Sequence, residues 1–225
     1  MNIMKPSFEI LTPISEDGIE ELKHIEKIAR VCYKSEGLIT EDGESAKKMI
    51  KMLINRDHTA MIEHSSLSVK FTVDRGVSHE LVRHRIASFA QESTRYVNYS
   101  LDKFGNEINV INIKDSVALD SKMKNMDDDT IGIIIAEWLS AMKDAEKHYM
   151  KMIKLGATPQ IARSVLPNST KTEITITANY REWRNFFKLR VPVSAHPSMR
   201  EITIPLLEEL KSRLPIIFDD IDVEG

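Results

Sequence analysis

The sequence predicts an α/β fold of the mixed α+β kind, with a central mixed or antiparallel sheet flanked by helices, one of them long. Three observations predict it. Several segments repeat apolar residues at steps of three and four, the period of a half-buried helix, while two others alternate apolar and polar residues, the period of a half-buried strand. The 225 residues carry no internal repeat, low-complexity linker or shift in composition, so a single domain over 1–225 is expected. A 42% hydrophobic and 29% charged chain has the balance of a protein that buries a core rather than staying disordered.

Each element follows from its pattern. Residues 17–33 place Ile19, Leu22, Ile25, Ala29 and Cys32 on one helical stripe, with Cys32 expected to be buried. Ala46, Met49, Ile50, Leu53 and Ile54 repeat the spacing before a polar break at 55–58. Leu67, Val69, Phe71 and Val73 alternate with polar residues as a strand, and a turn is expected at 74–76. Val77, Leu81 and Val82 begin a short helix, and 108–113 is apolar enough for a second strand. Thr130, behind three aspartates that suit the positive end of a helix, is the expected N-cap of a long helix ending near Gly156. Thr158 and Pro159 read as the N-cap and first-turn proline of a short helix to Leu166. Ile174, Ile176 and Ala178 mark a strand over 173–179, and Trp183, Phe186, Phe187 and Leu189 a helix over 181–190. The last helix, 198–214, contains Pro205, where a kink or break is expected.

Composition narrows the function classes. With 31 basic against 34 acidic residues the formal charge is −3, which gives no global attraction for nucleic acid, so any anion site must be local. The longest apolar run, near Ile133, falls far short of the ~20 residues of a bilayer span. Pro6, Glu9 and Pro13 interrupt the N-terminal stretch where an export signal needs an apolar run. A single cysteine allows no intrachain disulfide and suits a reducing cytoplasm.

Two segments concentrate chemistry. RHRIASFAQESTRY, residues 83–96, sets Arg83, His84 and Arg85 directly after apolar Leu81 and Val82, then supplies Ser88, Gln91, Ser93, Thr94 and Arg95 as donors for phosphate or carbonyl oxygens. Such a triplet alone is more often a solvated basic turn. NYREWRNFFKLR, residues 179–190, interleaves Arg181, Arg184, Lys188 and Arg190 with aromatics, a pattern that by itself describes an ordinary amphipathic helix. Arg163 also enters an apolar context. Asp57, His58, Glu63 and His64 invite a metal site, but the histidines straddle a non-helical break and no cysteine joins them, so none is expected.

Taken together, these segments resemble the flavin-dependent thymidylate synthases. Arg83, His84 and Arg85, then seven residues and Ser93, look like that family's signature. The likeness extends through EHSSLSVKFTV, RYV, IARSVLPNSTKTEITITANYREWRNFFKLR and AHPSMREI, in the family's order. It implies a methyltransferase that converts dUMP to thymidylate with carbon from 5,10-methylenetetrahydrofolate and hydride from FAD, which NADPH reduces, with no cysteine nucleophile. It further implies that Glu80, Arg83, Gln91, Glu92, Ser93, Thr94, Arg95, Arg163 and Arg190 hold dUMP, with Arg190 catalytic. His58, Arg83, His84, Arg85, Gln91, Asn179, Tyr180, Arg181, Asn185 and His196 would hold FAD, in a homotetramer that needs neither nucleic acid nor membrane. Two residues depart from the pattern: Glu80 stands where many relatives carry glutamine, and Ala60 where a hydroxyl side chain often touches FAD. The unrelated cysteine-dependent thymidylate synthases would need Cys32 as a thiolate nucleophile, a role that a place on an apolar stripe does not favour.

Overall fold

The computed structural model describes residues 1–101 and 105–223. Its strands are β1 (Asn2–Met4), β2 (Ser7–Ile10), β3 (Ser66–Asp74), β4 (Ser88–Gln91), β5 (Asn109–Ile111) and β6 (Lys171–Asn179). Its helices are α1 (Ile19–Tyr33), α2 (Glu44–Asn55), α3 (Arg75–Leu81), α4 (Lys114–Leu119), α5 (Asp128–Lys154), α6 (Pro159–Ala162), α7 (Tyr180–Arg190) and α8 (Pro197–Arg213). The fold is mixed, as the two periods predict. β1 and β5 pair in parallel, Ile3 opposite Val110, and a four-stranded sheet runs in the order β2-β3-β6-β4. β3 and β6 are antiparallel: Arg75 N–H reaches Thr170 O at 3.1 Å beyond one end and Tyr180 N–H reaches Ser65 O at 3.0 Å beyond the other. Leu67, Val69, Phe71 and Val73 are buried on β3, and Thr172, Ile174, Ile176 and Ala178 on β6, so the alternation read from sequence is the alternation of burial.

The chain forms two compact units. The first comprises residues 1–8, 70–84 and 89–175. Its core joins Tyr99, Ile108, Val110, Met142, Tyr149 and Ala162, with Tyr99 and Tyr149 edge to face at 5.7 Å. Asp74 caps α3 by accepting the Val77 N–H at 2.7 Å, so the expected turn at 74–76 is a helix start. Asp127, not Thr130, caps α5: its carboxylate accepts both the Thr130 N–H and the Thr130 hydroxyl at 2.8 Å. The short helix beginning at Pro159 ends at Ala162 and tightens into a 3-10 turn over Arg163–Val165.

The second unit comprises residues 9–69, 85–88 and 176–225. α1, α2, α7 and α8 bury Leu22, Ile50, Trp183, Phe187 and Leu206, and Phe187 meets Phe218 edge to face at 5.6 Å. α8 continues as one helix through Pro205, so the chain does not break there. Pro205 is exposed while Ile202, Leu206 and Leu207 are buried, so the ring lies on the open side of the helix. Cys32 is exposed, contrary to expectation, because the buried pair Glu26 and Arg30 occupies the stripe in its place and leaves the thiol on the helix flank.

Candidate functional site

In the first unit, a cleft of about 490 Å³ is lined by Arg75, His79, Thr94, Gln160, Arg163, Ser164, Leu166, Pro167 and Asn168. α3 starts where β3 ends, which sets Arg75 on its wall, the backbone N–H donating to Asn168 O at 2.8 Å. The 3-10 turn after α6 presents Arg163, whose Nη1 donates to Thr94 Oγ1 at 3.2 Å. Among the described residues neither arginine has a carboxylate partner, the buried Arg75 Nη1 has no acceptor at all, and no acidic side chain lines the cleft. Donors without acceptors around a cavity of this size are the preparation an anion needs.

The predicted donor loop leaves β4 beside this cleft. Gln91 is exposed, but its amide nitrogen is engaged within the unit: Nε2 donates to Ser78 Oγ at 2.9 Å and Thr172 Oγ1 at 3.3 Å. Glu92 turns back to β6, its Oε2 accepting from Lys171 Nζ and from the Glu173 N–H, each at 3.2 Å. Lys171 also reaches Glu173 at 2.7 Å, and that bond holds the Glu173 carboxyl below its ordinary pKa. Ser93 accepts the Tyr96 N–H at 3.0 Å through its carbonyl, Thr94 is buried, and exposed Arg95 lies over the Tyr96 ring at 5.3 Å. Upstream, Arg83 is exposed, Glu80 half-buried and His84 buried.

In the second unit, a cleft of about 450 Å³ is lined by Glu63, Ile86, Asn179, Arg181, Glu182 and Asn185. Asn179 caps α7, its Oδ1 accepting the Glu182 N–H at 2.8 Å, and this sets the helix's first turn on the cleft wall. Arg181 pairs with Glu63, and Asn185 Nδ2 lies 3.3 Å from each Glu182 oxygen. The cleft therefore carries one guanidinium against two carboxylates. Its size suits part of a dinucleotide cofactor, and its chemistry suits the hydroxyl- and amide-bearing parts of FAD more than the diphosphate.

The remaining predicted residues scatter over the second unit. Tyr180 is buried against Phe218 at 6.2 Å, and burial pushes its hydroxyl pKa up; it borders a separate cleft with His24 and His64. Exposed His58 places Nδ1 3.3 Å from the Tyr33 hydroxyl. Arg85 is exposed, Arg190 is half-buried at the end of α7, and exposed His196 caps α8, its carbonyl accepting the Arg200 N–H at 3.0 Å. Sequence reading missed Arg75, Gln160, Ser164, Lys171 and Glu182. Gln160 and Ser164 flank Arg163 and could have been read with it, whereas Arg75 falls where the sequence suggests a turn, with no charge cluster to mark it.

The model of the family described as thymidylate synthase complementing protein matches residues 17–216. The flavin-dependent thymidylate synthase of Corynebacterium efficiens is 31% identical over 214 residues, covering 92% of this chain and 81% of that protein. That of Geobacter sulfurreducens is 31% identical over 197 residues, covering 85% and 78%. Among solved structures, the UMP/dUMP methylase PolB from Streptomyces cacaoi, bound with 5-Br dUMP, superposes with a TM-score of 0.78 at 22% identity over 97% of this chain and 96% of that one, and so shares the fold. With the family model running through both units and a relative 31% identical over 92% of the chain, the chain belongs to the flavin-dependent thymidylate synthase family.

Proposed function

We propose that the protein methylates dUMP to thymidylate, with 5,10-methylenetetrahydrofolate as carbon donor and no cysteine nucleophile. The observation that carries this is the first unit's cleft, where Arg75 and Arg163 have no carboxylate partner among the described residues. A nucleotide phosphate is the doubly charged acceptor such a pair suits. Arg163, Thr94 and Arg75 take the phosphate, and Ser93 and Arg95 offer the next donors; Glu92 offers none, since both its carboxylate and its N–H are committed to β6. FAD, when bound, supplies the hydride and is restored by NADPH. Asn179, Arg181 and Asn185 would hold it in the second unit, where Glu63 and Glu182 would offer acceptors to its hydroxyls.

Arg190 acts electrostatically. A guanidinium stays protonated at working pH, so it cannot be the base; it stabilises negative charge developing on the uracil ring. Cys32 lies on the α1 flank and lines neither cleft. The family match runs through both units, which supports one synthase domain over 1–225. A homotetramer belongs to the same proposal: exposed Val31, Leu38 and Ile133 are the kind of apolar surface assembly covers. A cytoplasmic location accords with the single cysteine, and no helix among the described residues is long and apolar enough to cross a membrane.

The test is thymidylate formation by the purified protein given dUMP, methylenetetrahydrofolate, NADPH and FAD. Cys32→Ser retains the activity, and Arg190→Lys, in single turnovers with pre-reduced flavin, loses ~10² to 10³ in rate. Absence of thymidylate with flavin bound would sink the proposal, and a Lys variant at native rate would remove Arg190 from the chemistry.

A further inference from the structure

The junction between β4 and the donor loop is held by charges that nucleotide binding does not itself use. The Glu92 N–H donates to Glu173 O at 2.8 Å, and the Glu92 carboxylate accepts from the Glu173 N–H and from Lys171 Nζ, each at 3.2 Å. Lys171 Nζ also reaches Glu173 Oε1 at 2.7 Å. The Lys171 and Glu92 side chains are only 15% and 16% exposed, so solvent screens their pairing less than it does at an open surface. Two residues beyond Glu92, Thr94 is buried and accepts from Arg163. The loop is thus tied to β6 at one point and to the arginine of the phosphate cleft at the next.

Removing the ammonium would leave two carboxylates on directly paired backbone, an arrangement that repels. Glu173 is already half-exposed, so relief would come from Glu92 turning away from β6 toward the loop it precedes. There its charge would face an incoming dianion, and Ser93, Thr94 and Arg95 would lose the fixed junction that aims them. Lys171 and the two glutamates sum to one negative charge, so the group is not an anion site in its own right.

We propose that Lys171 is a positioning residue for nucleotide binding: it draws the Glu92 carboxylate back onto β6, which sets the path of the donor loop and keeps a negative charge off the approach of the phosphate. This rests on reading the first unit's cleft as the dUMP site. The FAD-loaded protein and its Lys171→Met variant are to be compared by calorimetry with dUMP, by competition with deoxyuridine, and by steady-state kinetics. The variant should bind dUMP ~10-fold more weakly, with KM raised by as much and kcat within about twofold. Deoxyuridine, which has no phosphate to repel, should bind within about twofold of wild type. Lys171→Arg should stay within about threefold for dUMP, since the cation is kept. Adding Glu92→Gln to Lys171→Met should bring dUMP back to within about threefold, because the repelling charge is gone. If the single variant melts below the assay temperature, the double variant and Lys171→Arg carry the test. Native dUMP affinity in Lys171→Met, equal losses of dUMP and deoxyuridine, or no recovery on adding Glu92→Gln would overturn the proposal. A wild-type protein that binds no dUMP would overturn the nucleotide reading with it, whereas normal wild-type binding with an unaffected variant would overturn Lys171 alone.

Discussion

Three arginines of the second unit and two of the first are treated in opposite ways. In the second, Arg30 meets Glu26 at 2.7 Å, Arg184 grips Asp220 through two bonds of 2.6 Å, and Arg181 pairs with Glu63. In the first, Arg75 and Arg163 have no carboxylate partner among the described residues, and Arg75 keeps a buried donor without an acceptor. Acid exceeds base in the chain, 34 to 31, so unmatched cations are not for want of carboxylates. A buried guanidinium N–H without a partner is unfavourable until an acceptor arrives. Pairing marks an arginine that holds the fold; its absence in a cleft marks one that waits for a ligand.

The comparison breaks most sharply at the unpaired arginines. Arg163→Ala and Arg75→Met should each weaken dUMP binding by ~10 to 10², since a charge-assisted bond to phosphate is worth ~1.5–3 kcal/mol. Flavin content, read from visible absorbance, should not change. Arg75→Met should melt no earlier than wild type, because it removes an unsatisfied donor instead of breaking a pair. A variant that loses flavin and nucleotide together would erase the distinction between the clefts.

The paired arginines should fail through stability instead. Arg184 is buried and also donates to Ile217 O, tying residues 217–220 to α7. Asp220→Asn should destabilise by about 1–2 kcal/mol at neutral pH, less than a fully buried pair because the Asp220 side chain is 48% exposed. The Arg184 hydrogen bond lowers the Asp220 pKa below its ordinary value, so this contribution is complete above about pH 4 and fades as pH falls through the folded-state value. Melting curves at pH 7 and pH 3 should show the gap between wild type and variant narrowing in acid. A constant gap would mean that the ionised pair contributes nothing.

The sequence shows long periods well and short or distant features badly. β3, β6, α5 and α7 each carry enough turns or alternations to declare themselves, whereas β1, β2 and β4, of three or four residues, are too short to establish a period. The motif arginines were legible as a set but not their fates: Glu63 lies 118 residues from Arg181, and Asp220 lies 36 from Arg184. Arg75 escaped notice because local composition cannot reveal an acceptor that is missing in space. Cys32 was misread because Glu26 and Arg30 form a buried pair on what looked like an apolar stripe.

The smallest effect should come from Glu63, and it sharpens the contrast most. Glu63 and Arg181 are 42% and 54% exposed in side chain, and a pair so open contributes ~0–1 kcal/mol, so Glu63→Gln should barely move the melting temperature. Electrostatically it leaves the cleft one guanidinium against the single carboxylate of Glu182, which turns a negative lining neutral. If the hydroxyl- and amide-bearing parts of FAD enter here, FAD affinity should change by less than about threefold, since glutamine still offers an oxygen that accepts. If the diphosphate enters, removing the charge that repels it and freeing Arg181 should tighten binding ~10-fold or more, with a steeper dependence on salt. Fluorescence titration of the apoprotein with FAD at two ionic strengths separates the two outcomes. A tenfold gain would make Arg181 a guanidinium in search of an anion, like Arg75 and Arg163, and the opposition between the two clefts would fall.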